Sequence, residues 1–177
     1  MTASVWYWNN THNHPDVNIT TIPSNKGARR YRNTTGENWS TIIASPAIPL
    51  NSVANITIQL VSWNNTSPQP LIYLGAGRHT VDRNWFLGGT SACDGWSLSL
   101  QSGRKTSCSG FENFLSPVTR YGTNITIIVD RIQGQIAFGI NNTQSLYLAY
   151  TSAEYKTGSL YIAATLRNIG DELAIVN

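Results

Sequence analysis

The sequence predicts an all-β fold, an antiparallel sandwich or barrel formed by one domain of 177 residues. Apolar residues recur at every second position in short runs, which is the pattern of a strand with one buried face. Turn residues separate these runs at intervals of roughly eight to twelve positions, as they do in β-sandwiches. Helical periodicity is almost absent, and no linker or shift in composition divides the chain. We therefore expect a single β domain that is large enough to bury a substantial core.

The predicted strands occupy most of the chain. Runs rich in β-forming residues predict short strands at 6–8, 17–22, 39–44, 71–74 and 96–100. Stronger alternation predicts five further strands, whose buried faces would carry Ile56, Ile58 and Leu60; Ile125, Ile127 and Val129; Leu146, Leu148 and Tyr150; Leu160, Ile162 and Ala164; and Leu173 with Ile175.

The stretch VDRIQGQIAFGINN, residues 129–142, suggests either an active-site carboxylate beside an arginine or a simple hairpin. Neighbouring residues of a strand point to opposite faces, so Asp130 and Arg131 are not an obvious working pair. Gly134 permits a tight turn. The residues predicted to face the sandwich interior after that turn are Ile136, Phe138 and Ile140. The stretch therefore indicates a hairpin.

The rest of the sequence gives little support for a catalytic site. No two of the nine acidic residues are spaced i, i+2, the spacing that places a pair of carboxylates on one strand face of many jelly-roll glycosidases. Asp171 and Glu172 are adjacent and would point to opposite faces. No Gly-x-Ser-x-Gly nucleophile motif occurs. We expect neither enzyme activity nor a cofactor.

The segment HNHPD, residues 12–16, is the only place where the sequence resembles a metal site. His12, His14 and Asp16 would share one side of an extended chain, but zinc normally requires a further ligand of this kind. Pro15 favours a turn at this point. We interpret the segment as a polar loop and expect no metal.

The charge balance argues against a nucleic-acid partner. The formal net charge is only +3, and the tightest basic cluster is Arg29, Arg30 and Arg32 around Tyr31. Nucleic-acid binding usually requires a longer basic stripe. No apolar run is long enough to span a membrane. The first ten residues, MTASVWYWNN, lack the basic start and apolar stretch of a signal peptide.

Two features bear on the cellular compartment. Cys93 and Cys108 are too few for a disulfide scaffold or a four-cysteine zinc site, and although one bridge across a predicted hairpin is compatible with their spacing, we expect two reduced thiols. Asn-x-Ser/Thr sequons, which accept glycans only in the secretory pathway, are abundant. They begin at Asn9, Asn18, Asn33, Asn38, Asn55, Asn64, Asn65, Asn124 and Asn141.

Trp85 differs from the other five tryptophans because it lies in a segment without alternation, residues 79–95. An aromatic residue on a loop held by a rigid sheet is typical of a binding anchor. The alternative is a tryptophan that plugs one end of the sandwich.

The order of several motifs resembles the SPRY domain family, also called B30.2 in its extended form. LIYLGAG at 71–77 resembles that family's strand ending in vGvA, and DGWSLSLQSGRK at 94–105 resembles its GW-x-L strand. ITIIVDRIQGQIAF at 125–138 is similar to its central hairpin. GINNTQSLYLAYT at 139–151 and GSLYIAATLRNIGDELAIV at 158–176 are similar to its last segments. Residues 1–50 would then form the N-terminal strands of the extended form, and residues 51–177 the SPRY core.

This resemblance implies a bent sandwich of two antiparallel sheets, of the concanavalin-like jelly-roll type, that works as a non-catalytic interaction module. Such domains bind peptide segments or protein partners through loops at one end of the sandwich, as substrate receptors or scaffold parts. By analogy with the family, we expect a cytoplasmic location. The binding positions that the resemblance implies are Asn84, Trp85 and Leu87 in one loop, Arg167 and Asn168 in a second, and Arg29, Arg30 and Tyr31 near the N-terminal strands.

Two alternatives remain open at this stage. The sequons and aromatic residues also suit a secreted or surface lectin-like sandwich that binds carbohydrate. The loops could equally be buried by neighbouring chains if the domain were a structural subunit of a larger assembly.

Overall fold

The computed structural model forms a two-sheet antiparallel sandwich with fourteen strands. It describes residues 5–12, 14–20, 26–34, 36, 38–64, 69–89, 92–141 and 145–176. In chain order the strands are β1 (Tyr7–Trp8), β2 (Val17–Thr20), β3 (Gly27–Arg30), β4 (Ser40–Ser45), β5 (Val53–Ser62), β6 (Ile72–Gly77), β7 (Gly95–Ser99), β8 (Arg104–Ser107), β9 (Gly110–Asn113), β10 (Asn124–Asp130), β11 (Gln135–Ile140), β12 (Tyr147–Thr151), β13 (Tyr161–Leu166) and β14 (Glu172–Ile175).

Each sheet contains seven of these strands. The first sheet has the order β1-β4-β13-β6-β7-β8-β9, and the second has the order β12-β11-β10-β5-β14-β3-β2. Two short 3-10 helices, Asn10–His12 and Ala153–Lys156, lie between strands. No helix within the described residues is long and apolar enough to cross a membrane.

The predicted strands are confirmed wherever the structure describes them, and residues 21 and 22 of the second one lie outside the described part. Three strands were not predicted. β3 reads GARR and β8 reads RKTS, so neither offers an alternating apolar face. β9 reads GFEN and has four exposed residues at the sheet edge, where main-chain hydrogen bonds to β8 hold it. The β propensity of a segment is a weak guide where packing does not select its side chains.

The core lies between the sheets and is built from the alternating residues. The interior faces of β5, β10, β13 and β14 are buried as predicted, from Ile56 to Ile175. Burial of a leucine or isoleucine side chain contributes about 1.5 to 3 kcal/mol, so these strands supply much of the driving force for folding.

The predicted buried face of β12 is wrong for Leu146 and Leu148 and correct for Tyr150, which is partly buried and packs against the core. Leu146 and Leu148 are about half exposed, while Ala149 is buried. The register between β11 and β12 shifts between Ile136 and Ala137. Ile136 pairs with Tyr150 and Ala137 pairs with Leu148, so Ala149 is an extra residue in β12. Such a bulge changes the face that each following side chain occupies.

The hairpin at residues 129–142 has the predicted form. Asp130 ends β10, and its Oδ1 accepts hydrogen bonds of 2.8 Å from the main-chain N–H groups of Ile132 and Gln133. Gly134 has a φ of +73°, which suits glycine. Arg131 is almost fully buried and donates to three main-chain carbonyl oxygens. Both charged residues therefore serve the fold.

The expectation of two reduced thiols is wrong. Cys93 and Cys108 form a disulfide with a Cα–Cα distance of 4.9 Å. The bridge ties the end of the long loop after β6 to the turn between β8 and β9. Both segments lie at the same end of the first sheet, which the sequence pattern did not reveal.

Candidate interaction surface

A loop after β6, residues 78–89, lies across the outer face of the first sheet and is called the covering loop here. Its main chain is fixed to the sheet by side chains of the strands beneath. The Thr41 hydroxyl donates to the carbonyl of Trp85 at 2.6 Å, and the Leu87 N–H donates to the Thr165 hydroxyl at 3.0 Å. The Ser97 hydroxyl donates to the Leu87 carbonyl at 2.6 Å. Because β4, β13 and β7 each contribute a bond, the loop is held on a rigid base.

Leu87 anchors the covering loop from below. Its side chain is fully buried in a small second core with Ile43, Tyr73 and Ala163. Gly88, with a φ of +84°, allows the loop to approach the sheet, because a Cβ there would lie 2.4 Å from the Thr106 carbonyl oxygen. Leu87, which was predicted to touch a partner, therefore contributes to packing.

The covering loop completes a group of aromatic side chains, the aromatic patch, in which Trp85 and Phe111 are exposed while Trp39, Phe86 and Tyr73 are partly or fully buried. Phe86 is its centre and stacks on Tyr73 with ring centroids 5.0 Å apart. Trp39 meets Phe86 at 5.3 Å, and Trp85 stacks on Phe86 at 5.5 Å. Phe111 of β9 lies 5.8 Å from Phe86. Trp85 remains 44% exposed, so it does not plug the end of the sandwich.

A polar pocket borders the aromatic patch. It is a cavity of about 320 Å³. The lining residues are Arg30, Asn33, Asn38, Asn64, Arg167, Asn168 and Ile169. Arg167 belongs to both features, because its guanidinium carbon lies 4.8 Å from the centre of the Trp39 ring. The Nδ2 of Asn168 is buried and has no hydrogen-bond partner within the described residues.

The turn that carries Arg167 and Asn168 is organised by a buried carboxylate. Asp171 accepts hydrogen bonds from the main-chain N–H groups of Asn168 at 2.8 Å and Arg167 at 3.2 Å. A third bond comes from the N–H of Asn64 at 3.2 Å. Burial raises the pKa of Asp171 above its usual value, while these bonds and the nearby Arg30 act in the opposite direction.

Arg30 closes the floor of the polar pocket. It is nearly fully buried, and its Nη1 donates to the main-chain carbonyls of Asn38 and Arg167. Burial lowers the pKa of Arg30, and the charges of Asp16 and Asp171 partly offset this effect. Its guanidinium group thus serves mainly to hold two loops together.

The N-terminal segment brings Asn84 and Tyr31 to the same edge. His14 is fully buried, and its Nε2 lies 3.1 Å from the Oδ1 of Asn84. The Tyr31 hydroxyl donates to the Pro15 carbonyl at 3.3 Å and the residue stays exposed. The side chain of His12 lies outside the described part. Across the residues that are described, no three His, Cys, Asp or Glu side chains are grouped to hold a metal ion.

The structure thus places five of the eight predicted positions along one edge, the rim surface: Tyr31, Asn84, Trp85, Arg167 and Asn168. Arg30 and Leu87 lie beneath it. Arg29 points to the outer face of the second sheet, where its Nε lies 4.0 Å from a carboxylate oxygen of Glu172. Alternation along β3 separates Arg29 from Arg30 in this way.

Sequence reasoning missed Trp39, Phe86 and Phe111 as parts of this surface. Trp39 was assigned to a strand, and Phe111 lies in an unpredicted one. Only Phe86, next to Trp85 in the loop, carried a local signal.

Comparison with solved structures identifies the fold. The SPRY domain of human HERC1 matches with a TM-score of 0.76 and 19% sequence identity, over 95% of this chain and 96% of that one. The PSpry domain of TRIM65 matches with a TM-score of 0.73 and 11% identity, over 98% and 93% of the two chains. A human SPRY domain matches with a TM-score of 0.68 and 13% identity, over 97% and 96%.

No protein-family model matches the sequence, and no curated protein matches it. The structural matches show that the chain has the bent jelly-roll sandwich of SPRY domains, as its motifs predicted. Because the sequence identities are low, these matches establish the fold alone.

Proposed function

We propose that this chain is a non-catalytic protein-interaction module that binds a peptide segment or protein partner on the rim surface. The observation that carries the proposal is the contact of Arg167 with Trp39, because it joins the aromatic patch, with its exposed Trp85 and Phe111, to the polar pocket. A partner bound across this contact would meet an apolar anchor and a set of hydrogen-bonding groups side by side.

The aromatic half of the surface suits the centre of an interface. Trp85 is exposed while its main chain is fixed by Thr41 and its indole N–H donates to the Gly89 carbonyl at 3.2 Å. Tryptophan is enriched among residues that dominate binding energy. A loop that is already ordered loses little conformational entropy when a partner binds.

The polar half suits an acceptor-rich partner. Arg167 is exposed and cationic, and the amide side chains of Asn33 and Asn38 line the pocket and are exposed. Guanidinium and amide donors both pair with carboxylate or main-chain carbonyl oxygens. We therefore expect a bound segment to place an acidic side chain or a main-chain carbonyl in the polar pocket and an apolar side chain on Trp85.

The fold shared with SPRY domains agrees with a role as substrate receptor or scaffold part within a larger protein. Several acidic side chains among the described residues instead cap turns or pair with basic residues.

Selection from a displayed library of random peptides tests the proposal. The chain is used as bait beside the double variant Trp85→Ala/Arg167→Ala. The matched control is Tyr147→Ala/Arg120→Ala, which removes an exposed aromatic and an exposed arginine elsewhere. We expect peptides that bind the chain and the control with similar affinity and bind the rim variant at least about 30-fold more weakly, which corresponds to about 2 kcal/mol.

Equal binding to the rim variant would overturn the assignment of the surface. Absence of any peptide or protein ligand, together with hits on a glycan array, would favour the lectin-like alternative instead.

A further inference from the structure

The disulfide is the first of three observations that concern where this protein matures. Cys93 and Cys108 are bonded, and the described part of the chain contains no free cysteine. Stable structural disulfides form in oxidising compartments and are rare in the cytosol.

The second observation is the position of two sequons with an exposed asparagine on the second sheet. A third sequon of this sheet, Asn124-Ile125-Thr126 in β10, has an asparagine whose Oδ1 is buried. Asn18-Ile19-Thr20 forms β2, and Asn55-Ile56-Thr57 lies in β5. In both, the asparagine is exposed and the following isoleucine is buried in the core. Because strand residues alternate, both asparagines project from the outer face of this sheet, where a bulky glycan meets no other part of the fold.

Asn55 also stands beside an exposed apolar row. It is opposite Ile128 of β10, which pairs with Ala137 of β11, which in turn pairs with Leu148 of β12. Leu148 is 52% exposed. Apolar surface of this kind favours aggregation or association unless something covers it, and a glycan on Asn55 would shield it with a hydrated, flexible chain.

The third observation is the scarcity of sequons in the first sheet: among its described strands only Ser40 of β4 belongs to one, Asn38-Trp39-Ser40. None of its seven described strands contains a sequon asparagine, and no sequon begins between residues 66 and 123 or after residue 141. The covering loop and the aromatic patch fall within the first of these gaps, except for Trp39, which is the middle residue of the sequon Asn38-Trp39-Ser40. Seven of the nine sequons therefore begin within the first 65 residues, and only those at Asn124 and Asn141 follow the gap.

We infer that this chain is a disulfide-bonded N-glycoprotein of the secretory pathway, with glycans on the outer face of its second sheet at Asn18 and Asn55. The inference does not rest on the proposed partner site, and it replaces the cytoplasmic location expected from family analogy. Its consequence for the fold is that carbohydrate at Asn18 and Asn55 shields the outer face of the second sheet and leaves Trp85 and Phe111 of the first sheet exposed.

The modification is a transfer from a lipid-linked oligosaccharide pyrophosphate. The amide Nδ2 of the asparagine forms a bond to the anomeric carbon of the first sugar, and the bond from that carbon to the pyrophosphate oxygen breaks. The amide loses one proton, and the lipid pyrophosphate leaves with the bonding electron pair. The main chain and the buried isoleucine of each sequon are unchanged by this reaction.

Two measurements test the inference. Protein captured from its natural source with an antibody is alkylated without reductant, digested and mapped before and after treatment with peptide N-glycosidase in heavy-oxygen water. We expect heavy-oxygen-labelled aspartate at positions 18 and 55 and a single linked peptide that contains Cys93 and Cys108. Unmodified asparagine at both positions, or alkylated cysteines, would overturn the inference.

The second measurement uses the full chain behind a cleavable secretion signal in cultured eukaryotic cells. Asn18→Gln and Asn55→Gln should each remove one glycosidase-sensitive increment of mass. Asn113→Gln is the matched control, because Asn113 is exposed on β9 of the first sheet and begins no sequon. Loss of no increment from either variant would overturn the assignment of these two sites.

The outcome is separable from the proposed function. Asn33, Asn38 and Asn64 also begin sequons, and all three border the polar pocket. Glycans found there would argue against a partner in that pocket while supporting secretion. A glycan-free chain that still binds peptides at Trp85 would support the proposed partner surface and argue against secretion.

Discussion

The guanidinium carbon of Arg167 lies 4.8 Å above the ring of Trp39, and this contact places an exposed arginine between the aromatic patch and the polar pocket. The two residues come from opposite ends of the chain and lie next to the paired strands β4 and β13. Cation–π contacts at exposed sites contribute roughly 0.5 to 1 kcal/mol. The contact therefore orients the charge more than it stabilises the fold.

Replacement of Arg167 should weaken partner binding in a graded way. Arg167→Ala removes both charge and stacking, whereas Arg167→Lys keeps the charge but loses the planar stack. With a peptide selected on the unmodified chain, we expect Arg167→Ala to raise the Kd roughly tenfold and Arg167→Lys to give an intermediate value. Fluorescence titration measures both. A Lys variant that binds like the unmodified chain would show that the Trp39 contact is irrelevant to recognition.

Loss of Arg131 should destabilise the fold strongly. This side chain is only 2% exposed and donates to the carbonyls of Ile48, Tyr155 and Gly158 at 2.6 to 2.8 Å. Burial lowers its pKa, with a smaller contribution from Arg78. Arg131→Met would leave three carbonyl groups without their donor, and hydrogen bonds to charged groups contribute about 1.5 to 3 kcal/mol each.

We expect urea unfolding of Arg131→Met to show a loss of about 3 kcal/mol or more. Arg104→Met is the control, since Arg104 is exposed on β8 and should change stability by about 0.5 kcal/mol at most. Similar midpoints for the two variants would contradict this account of the buried arginine.

Tyr150 should make the protein sensitive to alkaline pH. Its hydroxyl donates across the sandwich to the carbonyls of Ser97 at 2.6 Å and Thr106 at 2.9 Å. Burial raises the pKa of Tyr150 well above its usual value, although these two bonds act in the opposite direction. Because folding favours the protonated phenol, its contribution is fully present below the unfolded pKa of about 10 and is lost as pH rises from there through the folded pKa.

Tyr150→Phe should therefore cost about 1 kcal/mol at neutral pH and show a shallower fall in stability above about pH 10. Thermal unfolding across that range measures both effects. Tyr147→Phe, at an exposed position of the same strand, should leave the profile unchanged. If Tyr150→Phe kept the full alkaline slope, another group would be responsible, and Tyr155, whose pKa burial also raises, would be the next to replace.

Removal of the disulfide should loosen the loop and hairpin that it joins. The cysteines are 15 positions apart, and closing a loop of that size stabilises a fold by about 3 kcal/mol in the chain-entropy model. We expect Cys93→Ser/Cys108→Ser to lose stability by up to that amount and to become insensitive to added reductant. The unmodified chain in reductant should match the double variant. No difference between oxidised and reduced protein would show that the bridge adds nothing to stability.

The strands with alternating apolar residues were predictable, because the apolar face of each one is visible in its own sequence. Ile56 and Ile127, for example, are buried on such faces. Two strands and one strand face could not be predicted in this way, also for physical reasons. β3 is held by pairing between β2 and β14, and β9 by pairing with β8, so neither needs an apolar alternation. In β12 a single bulge moved Leu148 to the outer face, and a change of register between strands leaves no mark in local sequence.

The sequence by itself determined the β class, the hairpin at Gly134, the SPRY-like order of motifs and the loops in which Trp85 and Arg167 occur, because these depend on local periodicity and turn residues. Only the tertiary structure decided that Cys93 meets Cys108, that Leu87 and Arg30 are buried, and that Trp39 lies beneath Arg167. Those relationships depend on which strands become neighbours and on how a long loop packs over them. Contacts between residues far apart in the chain arise from the packing of the whole domain.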